Sequence, residues 1–255
     1  MDGTRDAIHA RVDRELDAHL VPVNWTDAEK LVLAARILAA DGHCSGLAGQ
    51  LTQRLPDGTF RSLPIGVGFD EARPRDLLRV DAALEVVEGK GIPNPALRFH
   101  IWVYNKRPDA MAIVHTHPPK ASALAMIGRP LVPSHMDTAM LYDDVAFLPE
   151  WPGVPVADEE GRIISAALGD KRSILLAHHG ILTAGRDIVE ATYLAVAMEL
   201  AAKLQLDAEA AGTIQPIRPE FGHQAHDFMR KPAIMNATFA WWARKVLRAD
   251  PNALA

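Results

Sequence analysis

The chain has 255 residues and sets 27 Lys plus Arg against 32 Asp plus Glu, a formal charge of −5, so it lacks the basic excess of a general nucleic-acid binder. Hydrophobic residues make up 49% and charged residues 23%, which gives ample apolar surface for a core and excludes a disordered chain. The single cysteine, Cys44, rules out an intramolecular disulfide framework, fits a reducing compartment and is expected as a small buried hydrophobe.

The start Met1-Asp2-Gly3-Thr4-Arg5-Asp6 is charged and no apolar core follows it, so it does not read as a signal peptide. No apolar run approaches the roughly 20 residues that a bilayer requires. The expected location is cytoplasmic, with no membrane partner.

Ile8, Val12, Leu16 and Leu20 recur every four residues among charges, which predicts an amphipathic helix over 4–20. Thr26 followed by Glu29 is a capping-box pattern, and the apolar run from Leu31 to Ala40 predicts a second helix ending near Gly42. Between Leu47 and Ser62 the pattern suits two short strands around the turn Pro56-Asp57-Gly58. A further strand is expected near Ala83–Glu88, a helix over 95–107, a buried strand over Ala110–His115 and a helix over 119–127.

The proline-rich stretch 129–156 is too apolar for a flexible linker and reads as an ordered connection. Helix 158–168 leads to strands Ser173–Ala177 and Ile181–Ala184, and Asp187 with Glu190 opens a long helix to about Gly212. Residues 220–247 are expected to be helical with a break near Pro232. Strands alternate with helices and no linker or repeat interrupts them, so residues 1–255 are expected to form one α/β domain whose sheet is not purely parallel.

Two of the histidine groupings have ligand spacing. In Val114-His115-Thr116-His117 the two imidazoles stand at i and i+2, on one face of a strand, where they can converge on an ion. His178-His179-Gly180 follows an apolar strand and offers a third nitrogen beside a glycine that leaves room. Three imidazoles without a cysteine cluster match a catalytic site with an open position. His9, His19, His43, His223 and His226 lack such spacing and read as structural or surface residues.

Taken together, the segment from Arg98 to His117, with Arg107-Pro108-Asp109 and His115-Thr116-His117, then His178-His179-Gly180 and the acidic helix start after it, resembles the class II aldolase/adducin family over about residues 27–212. The resemblance implies a three-layer α/β/α domain on a mixed, largely antiparallel sheet, with residues 213–255 as a helical extension. It also implies a homotetramer with active sites at subunit interfaces. Its metal ligands fall on His115, His117 and His179, which leaves His178 a neighbour. The cofactor is a divalent metal ion, zinc first, with manganese, cobalt, nickel and iron all accepted by imidazole.

The sequence departs from the family pattern at informative places. The aldolases carry a glutamate acid/base four residues before the histidine that matches His100, and here that position is Ala96. Their phosphate-binding hydroxyls and amides are replaced by Gly49-Gln50, Ile65-Gly66 and Asn94-Pro95, so a sugar phosphate is not the expected substrate.

A metal-dependent lyase acting through a stabilised enolate on a small, non-phosphorylated hydroxy acid fits these residues. Decarboxylation is slightly favoured, because loss of carbon dioxide needs a proton donor but no base, and the family includes decarboxylases of hydroxylated aromatic acids. Retro-aldol cleavage of a hydroxy-carbonyl compound is the alternative; an iron-dependent oxygenase and a non-catalytic adducin-like module are the others. His135 and His100 are the candidate proton carriers, with Tyr142 and Asp137 behind them, while Arg98 reads as an exposed helix arginine or a partner for a substrate carboxylate. Asp143-Asp144 and Glu159-Glu160 read as solvated surface, and Trp241-Trp242 as core or interface packing.

Overall fold

A computed structural model describes residues 5–20, 23–154 and 157–255. Met1 to Thr4, on which the reading of the N-terminus partly rests, lie outside the described residues, as do Pro155 and Val156 of the proline-rich connection.

The first helix, α1, spans Arg5–His19. Helix α2, Asp27–Ala40, starts where the capping box places it: the Thr26 hydroxyl accepts from Glu29 N at 3.2 Å and Glu29 Oε2 accepts from Thr26 N at 2.7 Å. Every residue from Leu31 to Leu38 is buried, including Arg36, which donates to the Ala72 carbonyl at 2.8 Å and pairs with Asp250 at 3.1 Å. That pair ties α2 to the end of the chain.

Strands β1 (Gln50–Arg54) and β2 (Phe60–Ser62) form the expected hairpin. β3 (Leu78–Val80) and β4 (Val86–Glu88) continue the antiparallel sheet; β3 is too short to leave a periodic signal in the sequence. Then come α3 (Leu97–Lys106), β5 (Ala112–Thr116) and α4 (Pro119–Met126).

The described part of the connection that follows holds a 3₁₀ turn at Met136–Leu141 and a strand, β6 (Val145–Leu148), that its prolines hide. After α5 (Asp158–Leu168) the hairpin β7 (Ser173–Leu176) and β8 (Ile181–Gly185) leads to the long α6 (Ile188–Ala211). The expected C-terminal helix is two, α7 (Pro219–Met229) and α8 (Pro232–Ala249), divided at the proline.

Among the described residues eight strands form one sheet in the order β4-β3-β2-β1-β5-β8-β7-β6, with only the β6–β7 pair parallel. This is the mixed, largely antiparallel α/β arrangement expected. One core lies between the sheet and α2, α4, α6 and α8, the other between the sheet and α3 and α5. Both bury Val, Ile, Leu and aromatic side chains, the dominant favourable term in folding.

Two local expectations are corrected. Cys44 is exposed, because it sits in the loop after α2 rather than on a buried strand. Asp144 is not solvated surface: the β6 approach carries it inward, where it pairs with the Arg230 guanidinium and lies 3.8 Å from His226 Nε2. Trp242 packs against the core, whereas Trp241 remains 48% exposed.

Candidate metal centre

Two adjacent inner strands, β5 and β8, position the site. β5 and β8 run antiparallel with Thr116 opposite Ile181, so the exit of β5 lies beside the entry of β8 and the tight turn that precedes it. That turn is closed by Leu176 N donating to the Gly180 carbonyl at 2.8 Å and His179 N donating to the Leu176 carbonyl at 3.1 Å. His178 occupies its left-handed position, φ +57°, and points to solvent. His179 is directed back over the ends of β5 and β8.

His115, His117 and His179 therefore meet, although more than 60 positions separate the second and third in sequence. One ring nitrogen from each lies within 4.8 Å of the others, and their ring centroids are 4.7–4.8 Å apart. Among the described residues no carboxylate joins this group.

His115 is buried, with its Nδ1 2.8 Å from the Ile181 carbonyl. That acceptor places the proton on Nδ1 and leaves the Nε2 lone pair directed at His117 Nε2, 3.0 Å away. Two such nitrogens at hydrogen-bond distance, backed by a fixed tautomer, are the donor set a borderline-soft divalent cation takes.

Protonation does not compete with that role near neutrality. Burial pushes the His115 imidazole well below its ordinary range, helped by His179 and His117; burial also lowers His117; and burial, then His117, bring His179 down to about 4. All three imidazoles are therefore neutral near pH 7.

Gly180 lets the cluster close. A Cβ there would lie 2.4 Å from the Thr116 carbonyl oxygen and 2.5 Å from His117 Cδ2. The glycine leaves room for the His117 ring itself, a role the sequence suggested only in general terms.

The two proposed proton carriers lie in different surroundings. His100 is wholly buried on α3, with Nδ1 2.8 Å from Thr52 Oγ1, which in turn lies 2.8 Å from Tyr104 Oη. Its Nε2 has no partner among the described residues, and burial lowers its pKa to about 3. The Phe99 ring lies edge-on to both His100 and His115, at 4.6 and 5.0 Å.

His135 caps the 3₁₀ turn, accepting from Asp137 N at 3.2 Å, and faces a cavity on the α6 side with Ala201, Leu204 and Gln205. No hydrogen bond or ring contact among the described residues joins it to the triad. Arg98 pairs with Asp158 at 3.6 Å, Tyr142 covers Gly222 on α7, and Asp137 is an exposed neighbour of His135. Ala96 starts α3, with its amide donating to Asn94 Oδ1 at 3.0 Å.

Comparison with known proteins decides the ancestry. The pattern of the Class II Aldolase and Adducin N-terminal domain matches residues 29–206. The chain belongs to this family.

Similar members differ in chemistry. The chain is 31% identical over 179 residues to a 4-hydroxy-3-prenylphenylpyruvate oxygenase/4-hydroxy-3-prenylbenzoate synthase of Streptomyces roseochromogenus subsp. oscitans, covering 69% of this chain and 65% of that one. It is equally similar to the decarboxylase NovR of Streptomyces niveus, over 69% and 66%. The match thus spans just under two thirds of the length of these two relatives. A 5-methylthioribulose-1-phosphate/5-deoxyribulose-1-phosphate aldolase of Rhodospirillum rubrum is 35% identical over 66% of this chain and 75% of its own. In structure, L-fuculose 1-phosphate aldolase from Glaciozyma antarctica superposes with a TM-score of 0.81 at 27% identity, over 92% of this chain and 97% of the other.

Proposed function

We propose that this class II aldolase-family chain is a metal-dependent carbon–carbon lyase in which His115, His117 and His179 hold a divalent cation, zinc first among the candidates. The observation that carries the reading is the convergence of three neutral imidazoles, one locked as the Nδ1–H tautomer, at the end of strands β5 and β8. When bound, such a cation supplies Lewis-acid stabilisation of the negative charge that develops on a substrate oxygen as a carbon–carbon bond breaks.

The residues around it favour decarboxylation of a small hydroxy acid over retro-aldol cleavage. Retro-aldol chemistry needs a base for the hydroxyl proton, and Ala96 offers a methyl group where the aldolases place their glutamate. Decarboxylation requires only a proton delivered to the carbanion. His135 is the donor exposed enough to exchange protons with solvent, and in this reading it acts on the triad of a neighbouring copy within a homotetramer. His100, neutral and wholly buried, orients the wall behind His115 through Thr52. Residues 1–255 work as one domain, on a small non-phosphorylated molecule.

The test is elemental analysis of protein purified without a metal-affinity tag, beside His115→Ala and His179→Ala. About one ion per chain, lost in both variants, supports the site and justifies assaying hydroxy acids for carbon dioxide release. A wild type that holds no metal after reconstitution overturns it.

The oxygenase name of one relative at 31% identity favours a second reading, in which iron on the same triad activates dioxygen. Turnover that continues under anaerobic conditions rejects it.

A further inference from the structure

On the far face of the sheet from His115 stands a buried polar pair. Alternation along β5 turns the Thr116 side chain away from the face that carries His115. There its Oγ1 lies 2.9 Å from Nδ1 of His43, and both residues are wholly buried. The end of α2 brings His43 to that place. Gly42 is left-handed, φ +84°; its amide donates to the Ala39 carbonyl at 3.1 Å, and the His43 amide donates to the Leu38 carbonyl at 2.9 Å. The helix thus closes in a Schellman turn, which directs His43 toward the exit of β5.

As a piece of core the pair is costly. His43 Nε2 is buried with no hydrogen-bond partner among the described residues, and two apolar side chains of similar shape would fill the space without that loss. Asp41 Oδ2 lies 3.4 Å from Nε2, out of line for a hydrogen bond but close enough to favour a proton there. Nδ1 is then the acceptor and the Thr116 hydroxyl the donor.

The bond bears on the metal ligands through the backbone. Thr116 and Ile181 form the last pair of the β5–β8 ladder, and His117 stands one residue beyond it. The direction of the His117 ring, whose Nε2 is 3.0 Å from His115 Nε2, is therefore set by Thr116 before it and Pro118 after it rather than by strand pairing. A hydroxyl committed to His43 fixes the Thr116 rotamer and ties that residue down from the far face.

We propose that His43 is a positioning residue of the metal centre: by accepting from the Thr116 hydroxyl it holds the exit of β5, and with it the His117 ring, against His115. This rests on the reading of the triad as a metal site.

The experiment compares wild type with Thr116→Val, Thr116→Ser, His43→Leu and the double variant Thr116→Val/His43→Leu. Competitive titration reads zinc affinity, the ligand-field absorption of the cobalt(II) form reads the geometry of the site, and thermal melts of metal-free protein read stability. Thr116→Val and His43→Leu are each expected to bind zinc about tenfold more weakly, the lower end of what support behind a ligand is worth, and to shift the cobalt spectrum. Thr116→Ser, which keeps the hydroxyl, is expected to restore both. The double variant leaves neither partner unpaired, so it should melt above the single variants. It should still bind zinc as weakly as they do, because both changes break one bond.

Wild-type zinc affinity and cobalt spectrum in the variants overturn the proposal and leave the triad standing. So does a loss that Thr116→Ser does not restore, or a zinc affinity that recovers with stability in the double variant, since the pair would then serve the fold alone. If a single variant does not fold, the double variant decides by its zinc affinity and cobalt spectrum. A wild type that binds neither metal removes the triad reading and this one with it.

Discussion

Replacing Gly180 by alanine should damage fold and metal site together. The added Cβ would sit 2.4 Å from the Thr116 carbonyl oxygen and 2.5 Å from His117 Cδ2, about 1 Å inside ordinary van der Waals contact. Neither neighbour is the free end of a flexible chain. Thr116 pairs with Ile181 in the β5–β8 ladder, and the His117 ring is held against His115. Overpacking of this kind costs about 1–3 kcal/mol, which for a chain of this size lowers the melting temperature by roughly 2–12 °C. Displacing the His117 ring should weaken zinc binding by about 10–100-fold, the usual effect of disturbing a ligand's support.

Scanning calorimetry of metal-free protein reads the first effect and competitive zinc titration the second. Gly212→Ala is the control, because a Cβ there meets nothing within 4 Å and its φ of 170° is ordinary extended backbone. Wild-type melting and wild-type zinc affinity in Gly180→Ala would refute the argument that this glycine makes room for the imidazole.

Three further outcomes are expected. His117→Ala should lose metal retention and turnover together, and a variant that keeps both would remove His117 from the site. Acid should unfold the metal-free protein through its buried imidazoles: His100 is held at about 3 against 6.5 in the unfolded chain, so its contribution is complete above pH 6.5 and is lost as pH falls toward 3, at about 1.4 kcal/mol per pH unit. His100→Phe should flatten that slope in urea titrations, and an unchanged slope would contradict it. Finally, Glu190 is 1% exposed and paired with both Arg186 and Arg230; burial alone would raise its pKa, but these guanidiniums bring it down to about 2. Arg186 still holds Glu190 in Arg230→Met, so that variant should lose about 1–3 kcal/mol in chemical denaturation, the worth of a charge-assisted hydrogen bond, and a variant as stable as wild type would show that α7 is not anchored there.

The clearest signals in the sequence were local ones. A capping box at Thr26 and Glu29, a glycine turn at Gly58 and long runs of 3.6-residue or unbroken apolar pattern declared most helices and the central strands, because each depends on neighbours within a turn or two. His115 and His117 were legible for the same reason: alternation on a strand puts them on one face whatever the rest of the chain does. β3 and β6 were not legible, since strands of three or four residues beside prolines carry too short a pattern and exist only through their ladder partners.

Tertiary structure alone decided the rest. It brought His179, already named by the family resemblance, to His115 and His117, turned His178 outward through one left-handed residue, buried Asp144 against Arg230, and set His135 apart from the triad. It also placed Gln50 across from His115, a neighbourhood fixed by strand register. Local sequence reports what a residue prefers; the pairing of distant strands fixes what it touches, and the chemistry of this site consists of those contacts.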